Sequence, residues 1–220
     1  MNVAHQWDER FSGTEFVYGR EPNLWLKSQR DRLPRAGRAL AVADGEGRNG
    51  VWLAGLGLEV TAVDASAVGL EKAARLAGEA GCAARYHPVL SLLEEWDWPA
   101  ASFDVVALIY IHMASSDRPW LHERAARALA PGGLLVLEAY TPRQLAFGTG
   151  GPPDADLLYE PEDLRREFAG LEILHLEERE LELEEGLLHR GRSAVVRLLA
   201  RRSGARDSYL AHVTHPASKQ

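Results

Sequence analysis

The chain has a single cysteine, Cys82, among 220 residues. It can form no intrachain disulfide, and no cysteine cluster can hold a metal. His5, His122, His212 and His215 are scattered, without the H-x-x-x-H type of spacing, so no metal site is expected. Lysine is scarce, occurring at Lys27, Lys72 and Lys219, and the net charge is −7. A surface of that sign cannot neutralise a run of phosphates, which argues against a general nucleic-acid partner. No apolar run approaches the roughly 18 residues of a membrane span. The polar start "MNVAHQWDERF" does not read as a signal peptide. No membrane partner is expected, and a cytoplasmic location follows by default. Repeats and low-complexity linkers are also lacking, and nothing in the composition indicates an oligomeric state.

What is present is an alternation of short apolar runs with helical patterns. "ALAVA" (39–43), "LEVTAVD" (58–64), a weaker "AARYHPV", "FDVVALIYI" (103–111) and "GLLVLEAY" (133–140) read as strands. Between them lie "RNGVWLAGLG", "SAVGLEKAARLAGEAG" with Ser66 as its cap, and "DRPWLHERAARALA" with Asp117 as its cap. Strands alternating with helices specify a parallel sheet with right-handed crossovers. After a helix around "EPEDLRREFA", the segments "LEILHLEERELELEEG" and "LLHRGRSAVVRLLARR" predict an antiparallel hairpin. The glutamates of "EERELELEE" read as a solvated strand face. The expected fold is α/β: a Rossmann-like, doubly wound, seven-stranded sheet, mostly parallel, with a C-terminal antiparallel hairpin and helices on both faces. One domain is expected over 1–202, with a flexible tail at 203–220.

The stretch "ADGEGRNG" contains G-x-G-x-x-G as Gly45, Gly47 and Gly50, at the end of the first strand and the start of the first crossover helix. In doubly wound sheets ligands sit beyond the carboxyl ends of the strands. Asp64 ends the second strand 19 residues after Gly45 (64 − 45), where a carboxylate can accept both hydroxyls of a ribose. The alternative role for Asp64 is a helix cap. The turn fits either a dinucleotide or S-adenosylmethionine. Pro131-Gly132-Gly133 before the fifth strand, the lack of a second nucleotide motif and the closing hairpin favour the methyl donor.

These residues resemble the class I S-adenosylmethionine-dependent methyltransferases. More narrowly, four stretches are similar to the bacterial tellurite-resistance-type (TehB-like) branch: "FVYGREPN", "GEGRNGVWLAGLGLEVTAVDAS", "ALAPGGLLVLEAYTPRQLAFGTGGP" and "EEGLLHRGRSAVVRLLARR". The resemblance covers roughly residues 7–202. It implies that Ala43, Asp44, Gly45, Gly47, Arg48 and Asn49 surround the methionine end of the cofactor. Asp64, Ala65 and Ser66 would hold the ribose. It also implies that residues 1–35, with Tyr18, fold over the cofactor as a cap. The family's acid and first glycine are replaced here by Ala41 and Ala43, so Asp44 is expected to face the methionine amino group instead. The third-strand exit lacks the family's Asp, which leaves the adenine to groups at Leu90 and Ser91.

Methyl transfer is an in-line displacement that asks the protein chiefly to position a nucleophile and exclude water. Candidate catalytic residues are Tyr110 and His112 after the fourth strand and Tyr140 after the fifth. Arg143 and Trp7 are candidates for binding the substrate. His112 is either a base or an orienting group. As a base with an unperturbed pKa it would lose rate below about pH 6.5. His189 on the hairpin reads as structural. The loop "FGTGGPPDADLLYEP" (147–161) is expected to act as a lid over a small-molecule acceptor. Two alternatives stand beside this reading: a non-catalytic S-adenosylmethionine-binding protein, and an NAD(P)-dependent oxidoreductase. The latter is disfavoured because no Tyr-x-x-x-Lys pair occurs.

Overall fold

The computed structural model describes residues 3–204. The expected tail lies outside them but for its first two residues. Seven strands form one sheet in the order β3-β2-β1-β4-β5-β7-β6. β1 (Arg38–Val42), β2 (Glu59–Asp64), β3 (Tyr86–Leu90), β4 (Phe103–Ile109) and β5 (Leu129–Tyr140) run parallel. β7 (His189–Arg201) is antiparallel to β5 and to β6 (Glu172–Glu185), as the closing hairpin predicted. The sheet order reverses between β1 and β4, which opens a crevice at their carboxyl ends. Because β7 runs backwards, its first residue, His189, lies on the same rim as the last residues of the parallel strands.

Helices cover both faces. α3 (Arg48–Gly55) and α4 (Ala67–Glu79) are the expected crossovers, with Ser66 capping α4 through the Gly69 amide. Two buried layers flank the sheet. One gathers Leu26, Leu53, Val60, Val105 and Leu76; the other gathers Leu40, Val106, Leu121, Leu135 and Phe168. On the second face α5 (Arg118–Ala128) and α6 (Pro161–Glu167) are joined by buried Arg118, which donates to Glu167 and Asp163.

Two elements escape the periodicity reading. α1 (Val3–Phe11) and α2 (Leu24–Ser28) precede the sheet and lie near its rim. Asn23 caps α2 by accepting from the Leu26 amide at 3.0 Å. Asp8 of α1 accepts from the Ser66 hydroxyl at 2.6 Å and the Val68 amide at 3.1 Å, docking α1 on the start of α4. Pro131-Gly132-Gly133 lies inside β5 rather than before it, since β5 begins at Leu129. Pairing with β4 starts at Phe103–Leu129 and resumes at Val105–Leu134 across a register shift, which takes up the irregular residues.

Gly47 fixes how closely α3 and α4 approach. It has φ +88°, and a Cβ built there would stand 2.5 Å from the Ala73 Cβ. Gly47→Ala should therefore force the two helices apart and cost about 1–3 kcal/mol of unfolding free energy in a urea titration. An unchanged midpoint would show that this contact does not set the packing.

Candidate active site

The turn after β1 passes through Ala43 at φ 48°, Gly45 at φ 56° and Gly47. A non-glycine residue is uncommon in that conformation, and Ala43 stands where the resembled family has glycine. Asp64 ends β2 beside this turn. Its Oδ2 accepts from the Gly45 amide at 2.7 Å and its Oδ1 from the Ser66 amide at 2.8 Å. Each oxygen keeps a further lone pair for a ligand. Burial raises the Asp64 pKa, and the Ser66 and Gly45 amides oppose the rise. Next to it, Ala65, Leu90 and Ser91 line a groove of about 320 Å³ together with Ala4, Asp8, Ala67, Leu92 and Glu95. α1 roofs this region. The Phe11 ring lies on the turn, 3.1 Å from where a Gly45 Cβ would be, and Trp7 stacks on Phe11 at 5.4 Å.

A buried polar network backs the turn. Glu138 of β5 is fully buried and accepts from Asn23 Nδ2 at 2.6 Å and from the Tyr110 hydroxyl at 2.9 Å; it also pairs with Arg197 of β7. Glu185, at the end of β6, accepts from Arg48 at 2.7 Å and from the Leu24 amide at 2.9 Å. Asn49 accepts from the Asn23 amide at 2.9 Å. A second latch joins Glu46 to Lys72. The Lys72 ammonium donates to the carbonyls of Phe11, Gly13 and Glu15, while Glu46 accepts from the Val17 amide. The N-terminal segment is thereby tied to the glycine turn and to the hairpin.

At the exits of β4 and β5 the rings of Tyr110, His112 and Tyr140 converge. Tyr110 and Tyr140 are 4.8 Å apart, and His112 stacks on Tyr140 at 5.6 Å. His112 Nδ1 lies 2.8 Å from the Leu157 carbonyl. It must carry the hydrogen to make that bond, which leaves the lone pair on Nε2. That Nε2, the Tyr140 hydroxyl and His189 Nδ1 are all buried without a hydrogen-bond partner among the described residues. Such atoms cost about 1–3 kcal/mol each unless something fills them. Burial lowers the His112 pKa to about 4 and raises that of Tyr140. The loop at 147–153 presses on this cluster, with Gly151 against the Tyr140 ring.

Several expectations change. Asp44 does not face outward. Its Oδ1 accepts from the Gly50 amide at 2.9 Å and its Oδ2 from the Tyr86 hydroxyl at 2.8 Å, beneath the turn. The side chains of Arg48 and Asn49 are likewise spent inside the network. Tyr110 keeps only its ring face toward the cluster, because its hydroxyl is turned to Glu138. Arg143 is exposed and pairs with Glu180 of β6, away from the cluster. Glu185 is buried, unlike the solvated face expected of its strand. His189, read as structural, joins the cluster at 4.3 Å from Tyr110 and 4.5 Å from Tyr18. Tyr18 packs on His189 and Phe11, and its hydroxyl accepts from Arg10. The pH 6.5 breakpoint expected of His112 moves down with its pKa.

A family profile described as "Methyltransferase domain" matches residues 39–133. The ubiquinone biosynthesis O-methyltransferase of Caulobacter sp. (strain K31) is 32% identical over 195 residues, covering 76% of each chain. The chain belongs to the class I S-adenosylmethionine-dependent methyltransferases. Two solved structures share the fold of this methyltransferase at low identity. Magnesium protoporphyrin IX methyltransferase from Synechocystis PCC 6803, solved with S-adenosylhomocysteine, has a TM-score of 0.64 at 17% identity, over 92% of this chain and 95% of its own. TehB from Haemophilus influenzae has a TM-score of 0.65 at 14% identity, over 91% and 67%.

The residues present suit the methyltransferase's cofactor better than a dinucleotide. The groove offers the apolar surface of Leu90, 60% exposed, beside the Asp64 carboxylate. A pyrophosphate needs free amides at the start of α3, whereas the Gly50 amide is already taken by Asp44. Burial is the main cause that pushes the Asp44 pKa up to about 7; the Tyr86 and Gly50 hydrogen bonds oppose it. The folded chain therefore holds a proton there that the unfolded chain releases near pH 4. That contribution to stability is complete below about pH 4 and is lost as pH rises to about 7. Relative to the native chain, Asp44→Asn should gain stability between pH 4 and 7 and level off above. Parallel stability–pH curves would contradict a proton on Asp44.

Proposed function

We propose that this methyltransferase methylates a small molecule held where β4 and β5 end, with His112 and Tyr140 contacting the acceptor and Tyr110 supplying a wall. The observation that carries this reading is the pair of buried, unpartnered atoms His112 Nε2 and Tyr140 Oη on that rim. S-adenosylmethionine supplies a methyl group already activated by a positive sulfur. The protein's residues then have to bind, align and keep water out. Asp64 accepts the ribose hydroxyls. Ala65, Ser66, Leu90 and Ser91 flank the adenosine, and the backbone from Ala43 to Gly47 borders the methionine end. Within the expected cap of residues 1–35, those from 3 on cover this side, with Trp7 stacked on Phe11. The Phe11 ring has to swing off Gly45 to admit the cofactor. Within the class we place the chain near the tellurite-resistance-type branch, on the four stretches that resemble it. That placement leaves the acceptor open.

His112 is better suited to orienting the acceptor than to removing its proton. A general base works best with a pKa near the operating pH, and burial holds His112 near 4. Its lone pair is present throughout the neutral range and is lost as pH falls through about 4. His112→Ala should lower turnover while the dissociation constant of S-adenosylhomocysteine stays within about threefold, roughly 0.7 kcal/mol. The pH profiles of variant and native enzyme should run parallel from pH 5.5 to 8. A native-only limb near pH 6.5 would restore the base, and full turnover in the variant would remove His112 from the site. Asp64→Asn keeps the side chain's shape and removes its charge. Calorimetry should then show S-adenosylhomocysteine binding weakened by about 1.5–3 kcal/mol; unchanged binding would leave Asp64 as a helix cap.

A further inference from the structure

His189 opens β7 and is 7% exposed, yet its Nδ1 has no hydrogen-bond partner among the described residues. Its ring is held from three sides: by Tyr18 of the N-terminal segment at 4.5 Å, by Tyr110 at 4.3 Å, and by Tyr140 at 5.6 Å, perpendicular. Gly186, three residues before it, presses so closely on the N-terminal segment that a Cβ there would stand 2.3 Å from the Tyr18 carbonyl carbon. The Leu187 amide donates to the Val17 carbonyl at 2.8 Å. The hairpin tip and the N-terminal segment are thus zipped together, with the imidazole aimed between them and the strand exits.

The nearby cations are already engaged. Arg48 is paired with Glu185, Arg143 with Glu180, and Arg10 with the Tyr18 hydroxyl and the Trp7 ring. Glu138 is likewise matched by Arg197. Among the described residues, this rim offers an anion no buried cation that lacks a carboxylate; Arg10, held only by a neutral hydroxyl and a ring, is exposed. The rim offers instead flat ring faces, one free hydroxyl and two imidazole nitrogens. Burial keeps His189 neutral, and Arg48, His112 and Arg10 act in the same direction. In the neutral tautomer with its hydrogen on Nε2, His189 presents a lone pair at Nδ1 that accepts a hydrogen bond.

We propose that His189 is a positioning residue for the acceptor, and that the acceptor is a flat, uncharged molecule with two hydroxyl donors, one for His112 Nε2 and one for His189 Nδ1. This rests on the reading of the β4–β5 rim as the acceptor site. An oxyanion meets neither requirement.

The test uses the full chain loaded with S-adenosylhomocysteine and ¹⁵N-labelled at histidine. Catechol, 3,4-dihydroxybenzoate and tellurite serve as neutral, anionic and oxyanion probes. Catechol should shift the His189 Nδ1 resonance, and the dihydroxybenzoate should bind at least tenfold more weakly. His189→Ala should weaken catechol at least tenfold. His189→Asn, with a polar atom near the Nδ1 position, should recover most of that loss. S-adenosylhomocysteine affinity should stay within threefold in both variants. An unmoved resonance, an anion bound as tightly as catechol, or no rescue by Asn would each overturn the proposal. If His112→Ala blocks methylation while His189→Ala does not affect it, the acceptor site stands and this proposal falls. A native chain that binds no S-adenosylhomocysteine would bring down both.

Discussion

Two buried carboxylates, Glu138 and Glu185, hold the site together. Neither is tolerable inside a protein alone. Breaking a buried ion pair typically costs about 3–5 kcal/mol, because the partner is left charged and unpaired. Each therefore dictates the position of whatever satisfies it. Glu138 gathers Asn23, Tyr110 and Arg197; Glu185 gathers Arg48, Leu24 and Asn23. These groups come from the N-terminal segment, β4, α3 and the hairpin, so two side chains fasten four parts of the chain to one rim. The side chains of Arg48 and Glu185 are 7% and 4% exposed, which leaves salt little access to screen them.

That constraint explains why the turn and the rim differ in character. Under the glycine turn, polar groups are satisfied by one another: Asp44 by Tyr86 and Gly50, Glu46 by Lys72 and Val17. At the rim, His112 Nε2, Tyr140 Oη and His189 Nδ1 are left without partners. His122 Nε2, Thr141 Oγ1 and His175 Nε2 are also buried without a hydrogen bond, but only at the rim do three such atoms share one cluster of rings. The methyl donor brings its own activation, so a neutral rim of this kind is sufficient for a transferase and poor for chemistry that needs a strong base.

The sheet was legible because its strands carry continuous apolar runs and Ser66 caps α4; Asp117, expected to cap α5, stands at its start but makes no capping hydrogen bond. "FDVVALIYI" and Ser66 are the clearest cases. What failed depended on long-range partners. α1 has one buried residue, Phe11, and is held by the docking of Asp8 on the start of α4, a contact that no local pattern shows. α2 has five residues, too few for a period to show. Arg48, Asn49 and Asp44 looked ligand-facing by position in the motif. Their partners, at residues 185, 23 and 86, lie far along the chain. Glu185 and His189 were hidden by the strand alternation around them. A usable signal did exist for His189: it opens an antiparallel strand after a glycine turn, which puts it where the parallel strands end. Pro131-Gly132-Gly133 reads as the turn before the fifth strand, but β5 starts at Leu129 and takes these residues up in a register shift.

The central claim is that the N-terminal segment and the hairpin tip form one unit through Glu185. Hydrogen exchange on Glu185→Gln tests it most directly. The Leu24 amide donates to Glu185, and the Leu187 amide donates to Val17. If the two parts are one unit, both amides should lose protection together, while β1 and β4 keep theirs. Loss at Leu24 with Leu187 still protected would show that the two parts are held independently, and the account would be wrong.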